Sequence, residues 1–411
     1  MDLIIVSPYY PPDKGPTPMM YGALAADLAH GGSKVTVITA QPHYTESAYL
    51  SRACWPLIAG KDEAGVAVLR VYVPSFKNKS LFGRAAVFFS YNCLTAVYLA
   101  FSKRKDAAIV VNPAMGVLFP LLVLALVKRT PIHYRIHDLY PDIGVRLGIF
   151  RHKFIIALLA WAENLCYRFS DTISVVNAGF APHLAARGVP EAKIRVIPDW
   201  ADTEAIQPAE KNSRFSVANS YDKKFVVMYG GNIGYSQGLE TLVSAADELK
   251  ENKDIVFLFV GEGAMKAELK RNAEARGLSN VHFYPFQPAE TLSDVYGAAD
   301  AGFVSLAPKV SPEWCPAKVY TLMASALPIL AAVDPGGGAE KTITQAGAGI
   351  CVRHGDTGSI AEAVRRLYQD PGLRRTMGRN GRSYVEQHSS RKVCTRLLGD
   401  ILTRRSYGDK T

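Results

Sequence analysis

The sequence predicts two α/β domains, each built on a doubly wound parallel β-sheet. Short apolar runs rich in Val and Ile recur along the whole chain, and helix-length segments separate them. The runs are continuous rather than alternating, which indicates strands covered on both faces, as in parallel sheets with right-handed crossovers. With 411 residues, the chain is long for one ordinary domain and sufficient for two.

Seven strand-like runs lie in the first half of the chain, at residues 3–7, 34–39, 66–73, 107–111, 131–136, 172–176 and 194–197. Six lie in the second half, at residues 225–229, 255–260, 281–285, 302–306, 329–333 and 350–353. Doubly wound sheets bind ligands at the carboxyl ends of their strands, so we expect functional residues directly after these runs.

A polar stretch without a strand-like run separates the two sets, and we predict the linker at residues 206–222. The N-terminal domain then covers residues 1–205 and the C-terminal domain residues 223–385. The tail, residues 386–411, is basic and helix-like, and no strand-like run follows it. One arrangement open to this tail is to pack back on the N-terminal domain.

Composition and charge narrow the class of protein. A hydrophobic content of 48% and a charged content of 20% are typical of a soluble globular protein. The six cysteines are scattered without a Cys-x-x-Cys pair, which is typical of reduced thiols, and no secretory signal opens the chain, so we expect a cytoplasmic protein. The net charge of +10 favours an anionic partner, which on charge alone is a nucleotide, a nucleic acid or a membrane surface.

Three uncharged stretches, residues 85–101, 114–127 and 154–162, are too short for a membrane span, which needs roughly 20 apolar residues. We interpret them as helices that cover the sheets. The alternative is docking on the inner face of an anionic membrane, because Lys and Arg border each stretch and residues 1–205 hold 21 Lys and Arg against 15 Asp and Glu.

The segment 311–330 is the most informative part of the chain. A charged, proline-bounded loop leads directly into a small-residue helix and then a buried strand. Glu313 and Lys318 are expected at the mouth of this helix, where free N–H groups and the helix dipole favour a phosphate. Taken alone, the segment is equally typical of an ordinary helix–strand junction with a surface Glu and Lys.

Several motifs extend this interpretation over almost the whole chain. They are Pro8-Tyr-Tyr-Pro-Pro-Asp-Lys-Gly-Pro16, Arg135-Ile-His-Asp-Leu-Tyr-Pro-Asp142, Met228-Tyr-Gly-Gly-Asn-Ile-Gly234, Phe259-Val-Gly-Glu-Gly263 and the 311–330 segment. Their order and spacing closely resemble retaining glycosyltransferases of family 4, which have the GT-B fold, in the branch that makes bacterial surface polysaccharides of the colanic-acid type. The resemblance implies two Rossmann-like domains facing across a cleft, with the acceptor on the N-terminal domain and a nucleotide-sugar donor on the C-terminal one.

The resemblance also implies the donor contacts. The family signature is a Glu, seven residues and a second Glu. Glu313 matches the first, which contacts the donor sugar, whereas Thr321 stands where the second holds the ribose. Phe286 and Gln287 match the segment whose backbone reads the nucleotide base.

The diphosphate contacts depart from the family pattern. Relatives carry an Arg and a Lys in the loop after Tyr229, and the matching positions here are Asn232 and Gln237. Lys318 is then the remaining charge for the phosphates, assisted by Gly15 and by helix N-termini. The structural alternative for Lys318 is a solvated lysine.

His137 and Asp138 follow the strand at residues 131–136. Relatives often place a histidine here that contacts the donor sugar or supports catalysis, and Asp138 would orient that imidazole or face the acceptor hydroxyl. The alternatives are a structural histidine bonded between elements and, for Asp138, a cap of the helix that starts near Pro141.

The implied reaction moves a sugar from a nucleotide diphosphate, UDP rather than GDP, to a glycan or polyprenyl-linked acceptor with retention of configuration. No Asp-x-Asp triplet occurs in the sequence, so neither a bridging metal nor a cofactor is expected, and nucleic acid is not an expected partner. The alternatives are a nucleotide-sugar epimerase of the same fold and a two-lobed sugar-binding protein. A dehydrogenase is disfavoured, because Gly230-Gly-Asn-Ile-Gly234 is not Gly-x-Gly-x-x-Gly.

Overall fold

A computed structural model describes the protein over residues 1–13, 15–42, 57–62, 64–74, 81–308 and 313–408. The chain folds into two compact units, Met1–Pro198 together with Cys394–Thr411, and Asp199–Val393. The first unit therefore gives way to the second after Pro198, before the domain boundary predicted at residue 205, and the last part of the chain returns to the first unit.

The first unit is built on one sheet. Its strands are β1 (Asp2–Val6), β2 (Lys34–Ala40), β3 (Leu57–Lys61), β4 (Ala67–Val71), β5 (Ala107–Val111), β6 (Ile132–Ile136), β7 (Thr172–Val175) and β8 (Ile194–Val196), in the order β3-β4-β2-β1-β5-β6-β7-β8. Its helices are α1 (Pro16–His30), α2 (Leu81–Phe101), α3 (Ala114–Leu122), α4 (Asp142–Arg146), α5 (Lys153–Phe169) and α6 (Ala181–Ala186). A π-helical turn, Val123–Val127, continues α3. The strand order reverses between β1 and β5.

The sequence does not predict β3. This strand pairs antiparallel with β4, whereas the other pairs among the described strands are parallel. Asp62 holds the turn between β3 and β4, since its N–H donates to the carbonyl of Val66 at 3.1 Å and its carboxylate accepts from the N–H of Val66 at 2.9 Å. So short a connection permits only an antiparallel pair.

The second unit is built on a six-stranded sheet. Its strands are β9 (Phe225–Gly230), β10 (Ile255–Val260), β11 (Val281–Tyr284), β12 (Ala301–Ser305), β13 (Ile329–Val333) and β14 (Gly349–Arg353), in the order β11-β10-β9-β12-β13-β14. Its helices are α7 (Arg214–Ala218), α8 (Glu240–Glu248), α9 (Lys266–Ala275), α10 (Leu292–Gly297), α11 (Ala317–Ala324), α12 (Gly338–Gln345), α13 (Thr357–Gln369) and α14 (Pro371–His388). Counted from β9, the strand order is 3-2-1-4-5-6, as in dinucleotide-binding folds, and it reverses between β9 and β12.

Both faces of the second sheet are covered. Val226, Met228 and Leu258 belong to one core cluster, whereas the alternate residues Val227 and Phe257 belong to another. All six residues of β10 and all five of β12 and β13 are buried, which explains why these strands read as continuous apolar runs. The predicted fold class, two α/β units on parallel sheets, is confirmed.

The predicted linker, residues 206–222, lies inside the second unit. It carries α7, Lys211 forms an ion pair with Asp300 at 2.5 Å, and the hydroxyl of Ser213 donates to the carbonyl of Asp294 at 2.6 Å.

The C-terminal helix α15 (Arg391–Gly408) begins in the second unit, and from Cys394 onwards it belongs to the first unit. None of the helices among the described residues is long and apolar enough to cross a membrane.

Candidate active site

The loop after β9, residues 230–234, lies where the strand order of the second unit reverses. It packs against the loop after β10 so closely that glycine is required there. A Cβ added to Gly261 would lie 1.8 Å from the carbonyl oxygen of Gly231, and one added to Gly263 would lie 2.2 Å from the carbonyl oxygen of Ile233. Because neither backbone can yield, these contacts fix the course of the 230–234 loop at the sheet edge.

Lys318 brings a cation to this loop. It is the second residue of α11, the helix that follows β12, and its Nζ donates to the hydroxyl of Tyr229 at 2.6 Å. The same Nζ lies 3.8 Å from the centre of the Tyr229 ring, within cation–π distance. A Cβ added to Gly231 would lie 3.3 Å from Nζ, so the ammonium group also lies against the backbone of the loop.

The surroundings of Lys318 change its titration. Removal of water from the ammonium group lowers the pKa of Lys318 to about 7, and no carboxylate of the described chain offsets this shift. Tyr229 is fully buried, burial raises the pKa of its phenol, and its hydroxyl donates to the carbonyl of Asn232 at 2.6 Å. The site therefore holds a lysine whose charged form an anionic ligand would favour.

The sequence alone does not indicate a functional role for Tyr229. The available signal is a tyrosine in a strand that is otherwise made of Phe, Val, Met and Gly, immediately before the glycine loop. Its partner Lys318 is distant in sequence, so the contact between them is visible only in the folded chain.

Asn232 and Gln237 both lie in the segment after β9, but they differ in their contacts. The Oε1 of Gln237 accepts from the N–H of Gly234 at 3.0 Å, and its Nε2 donates to the hydroxyl of Ser236 at 2.9 Å. Gln237 therefore orders the loop through its own hydrogen bonds. Asn232 is exposed at the tip of the loop.

Glu313 and Thr321 flank Lys318. Glu313 is half-buried in the loop before α11, and Thr321 lies one turn after Lys318 on the same helix. The hydroxyl of Thr321 approaches the carbonyl of Ala317 at 3.5 Å, so it points back along its own helix. Residues 311 and 312 of the predicted segment lie outside the described residues.

Phe286 and Gln287 follow β11, the edge strand two positions from β9. The Phe286 ring is 57% exposed, which makes it available for stacking, and the Nε2 of Gln287 donates to the carbonyl of Pro285 at 3.0 Å. The fold thus places these residues at the same sheet edge as Lys318 but not in contact with it.

His354 is a second residue that the sequence analysis does not single out. It follows β14, and its Nδ1 lies 3.4 Å from the hydroxyl of Ser305, the last residue of β12. Gly238 has φ +56, and a Cβ there would lie 2.3 Å from the imidazole. Burial lowers the pKa of His354, while Asp334 and Glu240 oppose that shift.

A shallow depression lies at the ends of β12 and β13, next to the loop that leads into α11. Its lining includes Leu306, Ala307, Trp314, Asp334 and Gly337. Among the described residues, no group of three His, Cys, Asp or Glu side chains is arranged to hold a metal.

The first unit carries the predicted His137 and Asp138 directly after β6. The Nε2 of His137 lies 2.8 Å from the hydroxyl of Tyr21 on α1, and the backbone N–H of His137 donates to the Oδ1 of Asn112 at 3.0 Å. The side-chain amide of Asn112 in turn donates to the carbonyl of Asp138 at 2.6 Å. Asn112 follows β5, so this network joins the ends of two neighbouring strands.

Gly15 is the N-cap residue of α1, with φ +130 and Pro16 as the first helical residue. It shares α1 with Tyr21, so the carboxyl edge of the first sheet brings Gly15, His137 and Asp138 to one side of the unit. The helix near Pro141 begins at Asp142, with Pro141 at the N-cap and no side-chain cap there.

Two family profiles match the chain. The profile for glycosyl transferases group 1 covers residues 210–384, and that for the glycosyl transferase 4-like domain covers residues 19–200. The putative colanic acid biosynthesis glycosyl transferase WcaI of Escherichia coli is 25% identical over 334 residues, which are 79% of this chain and 81% of the relative. The probable glycosyltransferase WbjE of Pseudomonas aeruginosa is 24% identical over 297 residues, which are 71% and 74% of the two chains.

Solved structures share the fold. Sucrose-phosphate synthase from Thermosynechococcus elongatus superposes with a TM-score of 0.76 at 18% identity, over 98% of both chains. HepE of Anabaena, solved in complex with UDP, superposes with a TM-score of 0.74 at 15% identity, over 98% of this chain and all of that one. The protein is therefore a glycosyltransferase enzyme with the GT-B fold, whose second half matches the glycosyl transferases group 1 family and whose first half matches the glycosyl transferase 4-like domain, and it has relatives in bacterial polysaccharide biosynthesis.

Proposed function

We propose that the protein moves a sugar from a UDP-sugar to a hydroxyl of a glycan acceptor and retains the anomeric configuration. The observation that carries this proposal is the desolvated ammonium of Lys318, held against the glycine loop where the strand order reverses. Positions of this kind bind diphosphates in doubly wound folds. The choice of UDP is supported by HepE, which shares the fold and was solved with UDP-glucose.

In the proposed reaction, the bond between the anomeric carbon and the diphosphate oxygen breaks while the acceptor oxygen bonds to that carbon on the same face. The acceptor proton passes to the departing phosphate oxygen. Negative charge grows on the diphosphate as the bond breaks, so a fixed cation aimed at it lowers the barrier. Lys318 supplies that charge, with the backbone N–H groups of the 230–234 loop and of α11.

The other donor contacts follow from their positions in the second unit. We assign Glu313 to the donor sugar, Thr321 to the ribose, and Phe286 with Gln287 to the base. Asn232 and Gln237 shape the loop around the diphosphate. We propose that Lys318 and these amides neutralise the diphosphate without a bridging metal.

The proposed acceptor is a lipid-linked sugar at the inner face of the cell membrane. This proposal is supported by the relative WcaI, whose name places it in colanic acid biosynthesis. His137 and Asp138 are the proposed acceptor-side groups, because both lie at the carboxyl edge of the first sheet, where such units bind ligands.

The proposal is tested by incubating the purified protein with a panel of UDP- and GDP-sugars, with and without membranes from a polysaccharide-producing bacterium. We expect consumption of one UDP-sugar that depends on the membranes, and a product with the donor's anomeric configuration by NMR. A new epimer formed from the donor alone would identify an epimerase instead. An inverted product would contradict retention, and consumption of GDP-sugars alone would contradict the choice of UDP.

A further inference from the structure

The exposed apolar side chains of this protein are concentrated in one part of the first unit. Of the twenty large apolar side chains exposed in the described chain, thirteen lie between Phe89 and Trp161. Single exposed apolar residues are ordinary, but a contiguous group of this size marks an interaction surface. The chain segment that holds them contains α2, α3 and α5.

These three helices form one layer over the sheet. α3 packs between α2 and α5. Asn92 of α2 forms hydrogen bonds with α3. Its side-chain amide donates to the carbonyl of Met115 at 3.2 Å and accepts from the N–H of Phe119 at 2.8 Å. Glu163 of α5 also forms a hydrogen bond with α3, because its carboxylate accepts from the N–H of Ala114 at 2.8 Å. The layer therefore has one outward side, which we term the outer helical face.

The outer helical face is apolar along each helix. On α2, the exposed Phe89, Val97 and Phe101 follow one another at multiples of four residues, which places them on one stripe. On α3 and its π turn, the exposed Phe119 and Leu126 are seven residues apart and share a face in the same way. The buried Tyr91 and Leu99 of α2 point instead into the unit.

The first half of α5 is the most exposed part of this face. Phe154 is 79% exposed, Leu158 50% and Trp161 56%, at the i, i+4 and i+7 positions of one helical stripe. The carboxylate of Glu163 reaches the start of α3, directly after β5, and α5 leads from there to the start of β7, so residues 153–162 lie on the carboxyl side of the sheet. The apolar stripe thus lies at the same edge as His137.

Positive charge surrounds this apolar surface. Residues 81–169 contain 11 Lys and Arg, of which Arg135 is buried, but 4 Asp and Glu. Arg151, His152 and Lys153 are exposed at the start of α5, and Lys103 and Arg104 are exposed at the end of α2. Of the four acids, Glu163 is buried and Asp142 is paired with Arg187 at 2.8 Å.

We propose that the outer helical face is a docking surface for an anionic lipid bilayer, with Phe154, Leu158 and Trp161 inserted among the headgroups. An apolar stripe with aromatic residues, bordered by Lys and Arg and too short to span, fits the interface of a bilayer, whereas an interface between proteins is usually depleted of lysine. Docking would hold the carboxyl edge of the first sheet, with His137, near lipid-anchored molecules. This inference rests on the proposed function only where it takes those lipid-anchored molecules to be the acceptor.

Flotation of the full-length protein with vesicles tests this proposal. We expect binding to vesicles that contain phosphatidylglycerol, little binding to vesicles of phosphatidylcholine alone, and weaker binding as salt rises, because salt screens the basic border. The paired substitution Phe154→Ser and Leu158→Ser should weaken binding about tenfold or more, since two apolar side chains no longer enter the interface. Val217→Ser, at a residue that is 57% exposed in the second unit, is the matched control and should bind as the wild type does.

Quenching of tryptophan fluorescence by bromine-labelled lipid locates the contact. We expect quenching in the wild type and its loss in Trp161→Phe.

Equal binding to both kinds of vesicle, equal losses in the test and control variants, or no binding at all would overturn the proposal. So would a dimer in solution that the paired substitution dissociates, because a second copy would then cover this face. Calorimetric binding of UDP reports on the donor site separately, so failure of docking and failure of the proposed function are distinguishable.

Discussion

Lys318 is the residue on which the proposed donor site depends. Its ammonium group lies at the end of β9 because α11 begins at Ala317 and directs its first turn towards Tyr229. In the described chain the neighbouring loop positions carry Asn232 and Gln237 rather than basic residues, and Lys266, which donates to the carbonyl of Gly261 at 2.9 Å, is paired with Glu262 at 2.7 Å. A lysine that is partly desolvated before the ligand arrives loses less water on binding than an exposed one.

We predict that Lys318→Met weakens binding of UDP. Methionine keeps the apolar stem on the Tyr229 ring but removes the charge, and a charge-assisted hydrogen bond contributes about 1.5 to 3 kcal/mol. Calorimetric titration measures this loss. Lys270→Met, at an exposed position on α9, is the control and should bind UDP normally. Equal affinity in all three proteins would remove Lys318 from the donor site.

The titration of Lys318 leads to a pH dependence. Its pKa is lowered to about 7 in the free protein, and a bound diphosphate would raise it again. Above pH 7, binding therefore takes up protons, and affinity for a UDP-sugar falls as the pH rises further. Calorimetry at pH 8 in two buffers of different ionisation enthalpy should report uptake of about one proton per site. Uptake that persists in Lys318→Met would assign the proton to another group.

His137 is predicted to act in turnover and not in binding of the nucleotide. His137→Ala should lower kcat strongly and leave the affinity for free UDP unchanged, because the residue lies in the first unit and the diphosphate contacts lie in the second. Tyr21→Phe, which removes the hydroxyl 2.8 Å from the imidazole, should lower kcat less than His137→Ala does. A fully active and stable His137→Ala protein would show that this histidine is structural.

Among the elements, the loops after β9 and β10 depend most on glycine. We predict that Gly261→Ala destabilises the second unit by about 2 to 4 kcal/mol, because the added methyl group would meet the backbone of Gly231. The matched substitution Gly358→Ala, in the exposed first turn of α13, meets no atom closer than 3.9 Å and should stabilise the protein by up to about 1 kcal/mol. Denaturant unfolding measures both. Equal effects of the two substitutions would mean that the loop accommodates the methyl group.

The strands of this fold are more predictable from the sequence than the connections between them. The thirteen predicted strands are found because most of them are apolar runs buried on both faces, which leaves a clear pattern, whereas β8, β11 and β14 are less buried. β3 leaves no such pattern, because it is an edge strand of five residues that includes Gly60 and is exposed there. Its pairing depends on the turn at Asp62, which hydrophobic patterning does not encode.

At the scale of the whole molecule, the chain returns to its first unit through α15. Leu398 and Leu402 of this helix are buried, and Gly399 lies close to Leu28 of α1. We predict that Leu398→Ala destabilises the first unit by about 2 to 5 kcal/mol, as expected for a buried leucine. Hydrogen exchange should show faster exchange in α1 and β1 and little change in β9 or β10. Loss of protection confined to the second unit would contradict this assignment of α15.

The site is less predictable than the fold for a physical reason. The resemblance to family members proposes Lys318 and His137 by position, but it does not indicate that Tyr229 and Tyr21, which come from other elements, contact them. Thr321 shows a second limit, since its position in the signature does not reveal that its hydroxyl points back to Ala317. Such contacts depend on how helices pack on a sheet edge, and they are not encoded in local sequence.

The structure of the protein in complex with UDP tests the central claim most directly. We expect the diphosphate at the 230–234 loop, with a phosphate oxygen about 2.7 to 2.9 Å from the Nζ of Lys318, the distance of a charge-assisted hydrogen bond. The uracil should lie towards Phe286 and the ribose towards Thr321. A nucleotide bound elsewhere, with Lys318 still donating to Tyr229 and no phosphate beside it, would contradict the assignment of the donor site to this loop.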